Sequence, residues 1–121
     1  MGDHLAAGNL FAGLPAQPVA EEAFSTLLAR PGLTIHRIVS TGQASPEGFW
    51  YDQPEGEWVL LLAGEAGLRF ADEPAARRLV PGDWVDIPPG RRHRVDWTAR
   101  DSTTVWLAVH YGTAPFTPGN D

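Results

Sequence analysis

Short apolar runs broken by turn residues make up most of the chain. The pattern predicts strands over residues 33–40, 48–52, 57–63, 66–71, 77–80, 83–87, 92–98 and 103–111. Turn chemistry such as Pro54-Glu55-Gly56, Pro81-Gly82 and Pro88-Pro89-Gly90 separates them. Strands recurring roughly every 8–12 residues with such turns between them read as an all-β sandwich or barrel. One segment follows another rhythm. Over 18–30, Phe24, Leu27 and Leu28 share a helical face, Glu21 and Glu22 suit a first turn, and Arg30 suits a last one. With Pro31-Gly32 as a stop, a helix is expected there. Residues 1–18 lack periodicity and read as an arm containing His4, in which Leu10, Phe11 and Leu14 can dock on the barrel or on a neighbour.

Alternation also assigns faces. In the last strand Val105, Leu107 and Val109 form one face, and Trp106, Ala108 and His110 form the other. Both are apolar apart from one histidine. Such a strand lies between two layers or lines a mostly apolar cavity. His36, in mid-strand, and His110, near a strand end, are read as structural or rim residues.

Composition narrows the chemistry. At 121 residues the chain has the size of one domain. The expected division is an arm over 1–18, a barrel with its leading helix over 19–113 and a tail over 114–121. Fifteen acidic against nine basic residues give a net charge of −6, the wrong sign for a nucleic-acid binder. There is no Cys, which removes disulfides, thiolate nucleophiles and Cys-ligated metals. Every basic residue is Arg, so lysine Schiff bases and a phosphate-loop lysine are excluded. The longest strongly apolar run, 58–63, falls far short of the ~20 residues that span a bilayer. No membrane association and a cytoplasmic location are expected.

From Gly82 the chain reads Gly82-Asp83-Trp84-Val85-Asp86-Ile87-Pro88-Pro89-Gly90-Arg91-Arg92-His93. This resembles the second motif of the cupin superfamily, in which Gly, Pro, Gly and His stand at the places of Gly82, Pro88, Gly90 and His93. The family's Asn four residues later is Trp97 here. The first motif is matched by Glu57 and Gly64. Its two histidines fall on Tyr51 and Gln53 with one permitted spacing, or on Trp50 and Asp52 with the other, and its leading Gly on Ser45 or Ala44. The resemblance covers roughly 33–111 and implies a cupin double-stranded β-helix, that is, a jelly-roll barrel.

In ordinary cupins two or three histidines and a Glu hold a divalent metal. The resemblance therefore implies a site built on Glu57 and His93, with Asp52 or Gln53 as a further oxygen ligand. That donor set suits Mn²⁺, Fe²⁺, Zn²⁺ or Ni²⁺, with no organic cofactor. Strand alternation lets only one of Asp52 and Gln53 face the cavity. The implied function is a metal-dependent enzyme of dioxygenase, decarboxylase or isomerase type acting on a small carboxylate or oxygen-rich ligand. Without metal, Glu57 and His93 can act as an acid–base pair. The alternative is a metal-free binding or sensor protein. Tyr51, Trp58 and Trp106 are candidate pocket residues. Arg91 is a candidate to reach over the mouth and take a carboxylate or phosphate, or else belongs to a solvated rim turn. A homodimer is expected from the resemblance alone.

Overall fold

The computed structural model describes residues 5–112. His4 and the expected tail over 114–121 lie outside the described residues. The elements are all strands: β1 (Ala23–Arg30), β2 (Leu33–Ser40), β3 (Gly56–Ala63), β4 (Ala66–Phe70), β5 (Arg77–Leu79), β6 (Trp84–Ile87), β7 (His93–Thr98) and β8 (Thr104–Tyr111). They form a five-stranded sheet in the order β1-β2-β8-β3-β6 and a three-stranded sheet in the order β5-β4-β7. All pairings are antiparallel. Leu61, Leu68, Phe70, Ile87, Trp106 and Ala108 are buried together as the core. Among the described residues no helix is long and apolar enough to cross a membrane.

The expected helix over 18–30 is not formed. Its residues make β1, an edge strand hairpinned to β2 through Pro31-Gly32, with Arg30 opposite Leu33. The reason is a bulge. Register shifts between Thr26 and Leu28, so Leu27 is an extra residue in the ladder. A bulge breaks the two-residue period and leaves apolar positions spaced as if on a helix. The aromatic stretch at 48–52 is also not a strand. It contributes a single bridge, Tyr51 to His93. The other strands lie within a residue or two of their expected limits.

The arm touches the outer face of the large sheet. Arg37 of β2 donates to the carbonyls of Leu10 and Ala12 at 3.2 and 2.6 Å. A second arginine fixes the loop before Tyr51. The largely buried Arg94 donates to the carbonyls of Ser45, Pro46 and Phe49 and, at 2.7 Å, to the Asp96 carboxylate. Hydrogen bonds from a charged group contribute more than neutral ones, about 1.5–3 kcal/mol. Arg94→Ala is therefore expected to cost about 2–3 kcal/mol by denaturant unfolding. Hydrogen exchange should rise most across 45–51. Unchanged exchange in that loop would show that Arg94 does not hold it.

Candidate functional site

The geometry of the site follows from strand register. Opposed residues in an antiparallel pair point to the same side. Glu57 lies opposite His110 and Ile87, Val59 opposite Ala108, and Ile38 opposite Trp106. These side chains face the small sheet, where Phe70 is paired with His93. His93 is the first residue of β7, delivered by the turn 88–90. Gly90, at φ 76°, adopts the left-handed conformation there. Its amide donates to the Gln53 carbonyl at 2.8 Å, which ties the turn to the loop carrying Tyr51 and Gln53.

Between the sheets lies a cavity of about 140 Å³. Its walls are mainly apolar, with Ile38, Val59, Leu68, Ile87, Val95 and Trp106. The polar lining is Glu22, Tyr51, Gln53, Glu57, His93 and His110. The centre of the site is a carboxylate between two imidazoles. His93 Nε2 is 3.2 Å from Glu57 Oε1, and His110 Nε2 is 3.6 Å from Glu57 Oε2. The first is a hydrogen-bond distance; the second is an ion-pair distance only. On its other nitrogen, His93 Nδ1 is 2.8 Å from the Arg91 carbonyl. A carbonyl can only accept, so Nδ1 carries a proton. A neutral His93 would then point a lone pair at a carboxylate oxygen. One proton must therefore sit in the Glu57–His93 contact, as imidazolium–carboxylate or as imidazole–carboxylic acid.

The environment favours the imidazolium. Burial acts against the charged ring, but the Glu57 hydrogen bond, the Arg91 carbonyl and the Glu57 charge together outweigh it and raise His93 above its ordinary value of 6.5. Tyr51 stacks on His93 with ring centres 5.4 Å apart. Burial, and then the negative charges of Glu22 and Glu57, raise its phenol above 10.0. Tyr51 thus stays a neutral hydroxyl donor. Two lining side chains carry a buried polar atom with no protein partner, Gln53 Oε1 and Trp106 Nε1.

Of the residues singled out from sequence, Tyr51, Gln53, Glu57, His93 and Trp106 meet at this cavity. Asp52, Trp58 and Arg91 do not line it. Asp52 is exposed, because Tyr51 and Gln53 on either side of it face inward. Trp58 stands between the inward Glu57 and Val59, so alternation sends it to the outer face, where it stacks on Trp84 at 5.9 Å. Arg91 pairs with Asp72 at 3.1 Å and Glu73 at 3.6 Å and lies 4.3 Å over the Phe70 ring. Its carbonyl, not its guanidinium, serves the site. His110 is a cavity residue rather than a rim residue. Its place on the Trp106 face was the available signal, but only register puts it opposite Glu57. His36 bonds Thr26 at 3.3 Å and meets His110 edge-on, with ring centres 5.3 Å apart.

A solved structure from Ralstonia eutropha, provisionally named a mannose-6-phosphate isomerase, is 51% identical to this chain. The match covers 87% of this chain and 96% of that one, with a TM-score of 0.84. This chain belongs to the cupin superfamily. A cupin superfamily protein from Desulfitobacterium hafniense shares the fold at 18% identity and a TM-score of 0.66, over 81% of this cupin and 83% of that chain. DMSP lyase DddQ from Ruegeria pomeroyi is 26% identical with a TM-score of 0.58, over 79% of this cupin and 49% of that chain. No family model and no curated protein matches the cupin described here.

The donors of this cupin do not assemble a metal centre of the kind the family implies. The places of the two motif histidines are held by Tyr51, kept protonated, and Gln53, a neutral amide. Oε1 of Glu57 is held by the His93 imidazole, which leaves Oε2, 3.6 Å from His110, as its open oxygen. Glu57, His93 and His110 do converge, but through contacts with one another, and among the described residues no three His, Asp or Glu side chains are arranged around a common metal position.

Proposed function

We propose that this cupin is a small-molecule acid–base enzyme of isomerase type, with Glu57 as proton acceptor and His93 as proton donor. The observation that carries the reading is the proton-sharing contact of 3.2 Å on the wall of an apolar cavity. A raised imidazole value keeps His93 protonated to higher pH than a free histidine, as a proton donor requires. Glu57 takes a proton from carbon next to a carbonyl. His93 and the neutral Tyr51 hydroxyl donate to the oxygen on which charge develops.

The lining also supports a ligand class. A cavity of about 140 Å³ is close to the ~150 Å³ that accepts benzene. The charged lining groups other than histidine are Glu22 and Glu57, both acidic, and no Arg among the described residues lines the space. That arrangement favours a small neutral hydroxycarbonyl compound over a carboxylate. A hexose phosphate, the substrate in the name of the Ralstonia relative, is far larger than benzene and would bring its dianion against two carboxylates. The unpartnered Gln53 Oε1 and Trp106 Nε1 offer one acceptor and one donor to such a ligand. Left unmade, each costs about 1–3 kcal/mol.

The test uses small hydroxyaldehydes and hydroxyketones in D₂O, followed by proton NMR. The wild type is expected to catalyse deuterium exchange next to the carbonyl, and Glu57→Gln to lose at least about 100-fold of that rate. Binding without exchange would make the protein a ligand-binding module. Exchange that is lost on chelation and restored by Mn²⁺, Fe²⁺, Zn²⁺ or Ni²⁺ would return the site to a metal mechanism and overturn this one.

A further inference from the structure

The outer face of the small sheet carries a group that the cavity does not use. Trp50 precedes the inward-facing Tyr51, and three guanidinium carbons surround its ring: Arg69 and Arg92 at 5.7 Å and Arg94 at 5.8 Å. Arg69 is paired directly with Arg94 across β4 and β7. Like charges directly opposite are destabilising. One of the three is accounted for, because Arg94 is consumed by three loop carbonyls and Asp96. The other two are not. Arg69 reaches the same Asp96 only at 3.7 Å, and its buried Nε has no partner. Arg92 is exposed and makes no ion pair among the described residues.

Arg92 stands two residues before Arg94, and the Ala71 amide bonds its carbonyl at 3.0 Å. Arg69 and Arg92 are thus diagonal neighbours across the sheet, about 7–8 Å apart at the backbone and within reach of one another's long side chains. Both lie against one indole, which limits their rotamers. With Asp96 offsetting Arg94, the platform is left with two positive charges and free fork-shaped donors. A chain of net charge −6 otherwise repels anions, so this local excess is set against the overall field.

We propose that Trp50, Arg69 and Arg92 form a binding site for a phosphate dianion, free or esterified. Two guanidiniums match two negative charges, and each can donate two parallel N–H bonds to phosphate oxygens. The site is on the face away from the cavity and does not rest on the acid–base reading.

The experiment titrates ¹⁵N-labelled protein with inorganic phosphate and, separately, with methyl phosphate. Ionic strength is held constant with chloride at about pH 8, above the second ionisation of both the ester and inorganic phosphate, so that both probes are mainly dianions. Saturable shifts are expected at the Trp50 indole and at the Nε–H signals of Arg69 and Arg92. Arg69→Gln and Arg92→Gln should each weaken binding at least tenfold, and the double variant should abolish it. Both side chains are at the surface, so these variants should fold, and unchanged backbone spectra would verify that. Equal affinity for the two probes assigns the site to the phosphate group itself; tighter methyl phosphate binding assigns an esterified ligand. Equal saturation by acetate, shifts unchanged in the double variant, or shifts confined to His93 and Trp106 would overturn the proposal.

Discussion

Replacing Gly64 by alanine is expected to leave little folded protein. Gly64 joins β3 to β4 at φ 85°. The left-handed conformation alone costs a non-glycine residue about 1–2 kcal/mol. The added Cβ would also sit 2.5 Å from the Thr104 Cα, which is backbone and cannot rotate away. Thr104 is completely buried and starts β8, paired with Ser40 of β2. Its hydroxyl meets the amide and carbonyl of Glu65 at 3.3 Å. Relieving the clash therefore shifts the strand at the middle of the large sheet. A loss of about 4 kcal/mol or more is expected, against a typical total of about 5–15 kcal/mol. Gly82→Ala is the comparison, because Gly82 has φ 97° but a Cβ added there would meet nothing within 4 Å. It should cost only the conformational part. Equal losses in denaturant unfolding would show that the approach to Thr104 does not matter.

Glu57→Gln is expected to move the His93 titration from above 6.5 to below it. The substitution removes the hydrogen bond to an anion and the anion's charge. It leaves burial, which disfavours the imidazolium, opposed only by the Arg91 carbonyl. Imidazole signals followed by NMR report the change directly. The stability profile should follow in sign. A group whose folded pKa is raised contributes stability that is fully present below its unfolded value and is lost as pH rises through the folded one. The wild type should therefore lose the His93 contribution as pH climbs above 6.5. The variant, with a depressed value, should instead lose stability as pH falls through that region. The gap between the two proteins should be widest on the acid side, above the carboxylate range, and should narrow as pH rises through the wild-type His93 titration. Identical His93 titrations would mean that Glu57 does not hold the proton.

The fold was largely legible because its strands are bounded by residues with specific turn chemistry. The second motif, from Gly82 to His93, could be read in the same way, since each fixed position has a local backbone reason. β1 was not legible, because its bulge at Leu27 disguises a strand as an amphipathic helix. Within the site, legibility stopped at register. The choice between Asp52 and Gln53 turned on whether the loop bridges through Tyr51, a pairing with a residue 42 positions away in the chain. Trp58 could have been excluded once Glu57 was taken as inward, because adjacent strand residues face opposite sides. His110 needed the β3–β8 pairing, which no local pattern records. Arg91 had two readings, over the mouth or in a rim turn, and only the second fits, because Asp72 and Glu73, which hold it, come from a turn distant in sequence.

The position of β8 has a consequence for synthesis. This strand is flanked by β2 on one side and β3 on the other, yet it is the last of the eight to leave the ribosome. Until residue 111 has emerged, β2 and β3 have no shared neighbour, and their inner edges stand open. Nascent chains carrying β1 to β7 therefore expose two unpaired edges beside apolar faces, a form prone to mispairing. The large sheet can only close after translation of its own centre, in one late step that seats Trp106 and His110 beside Glu57 and completes the cavity.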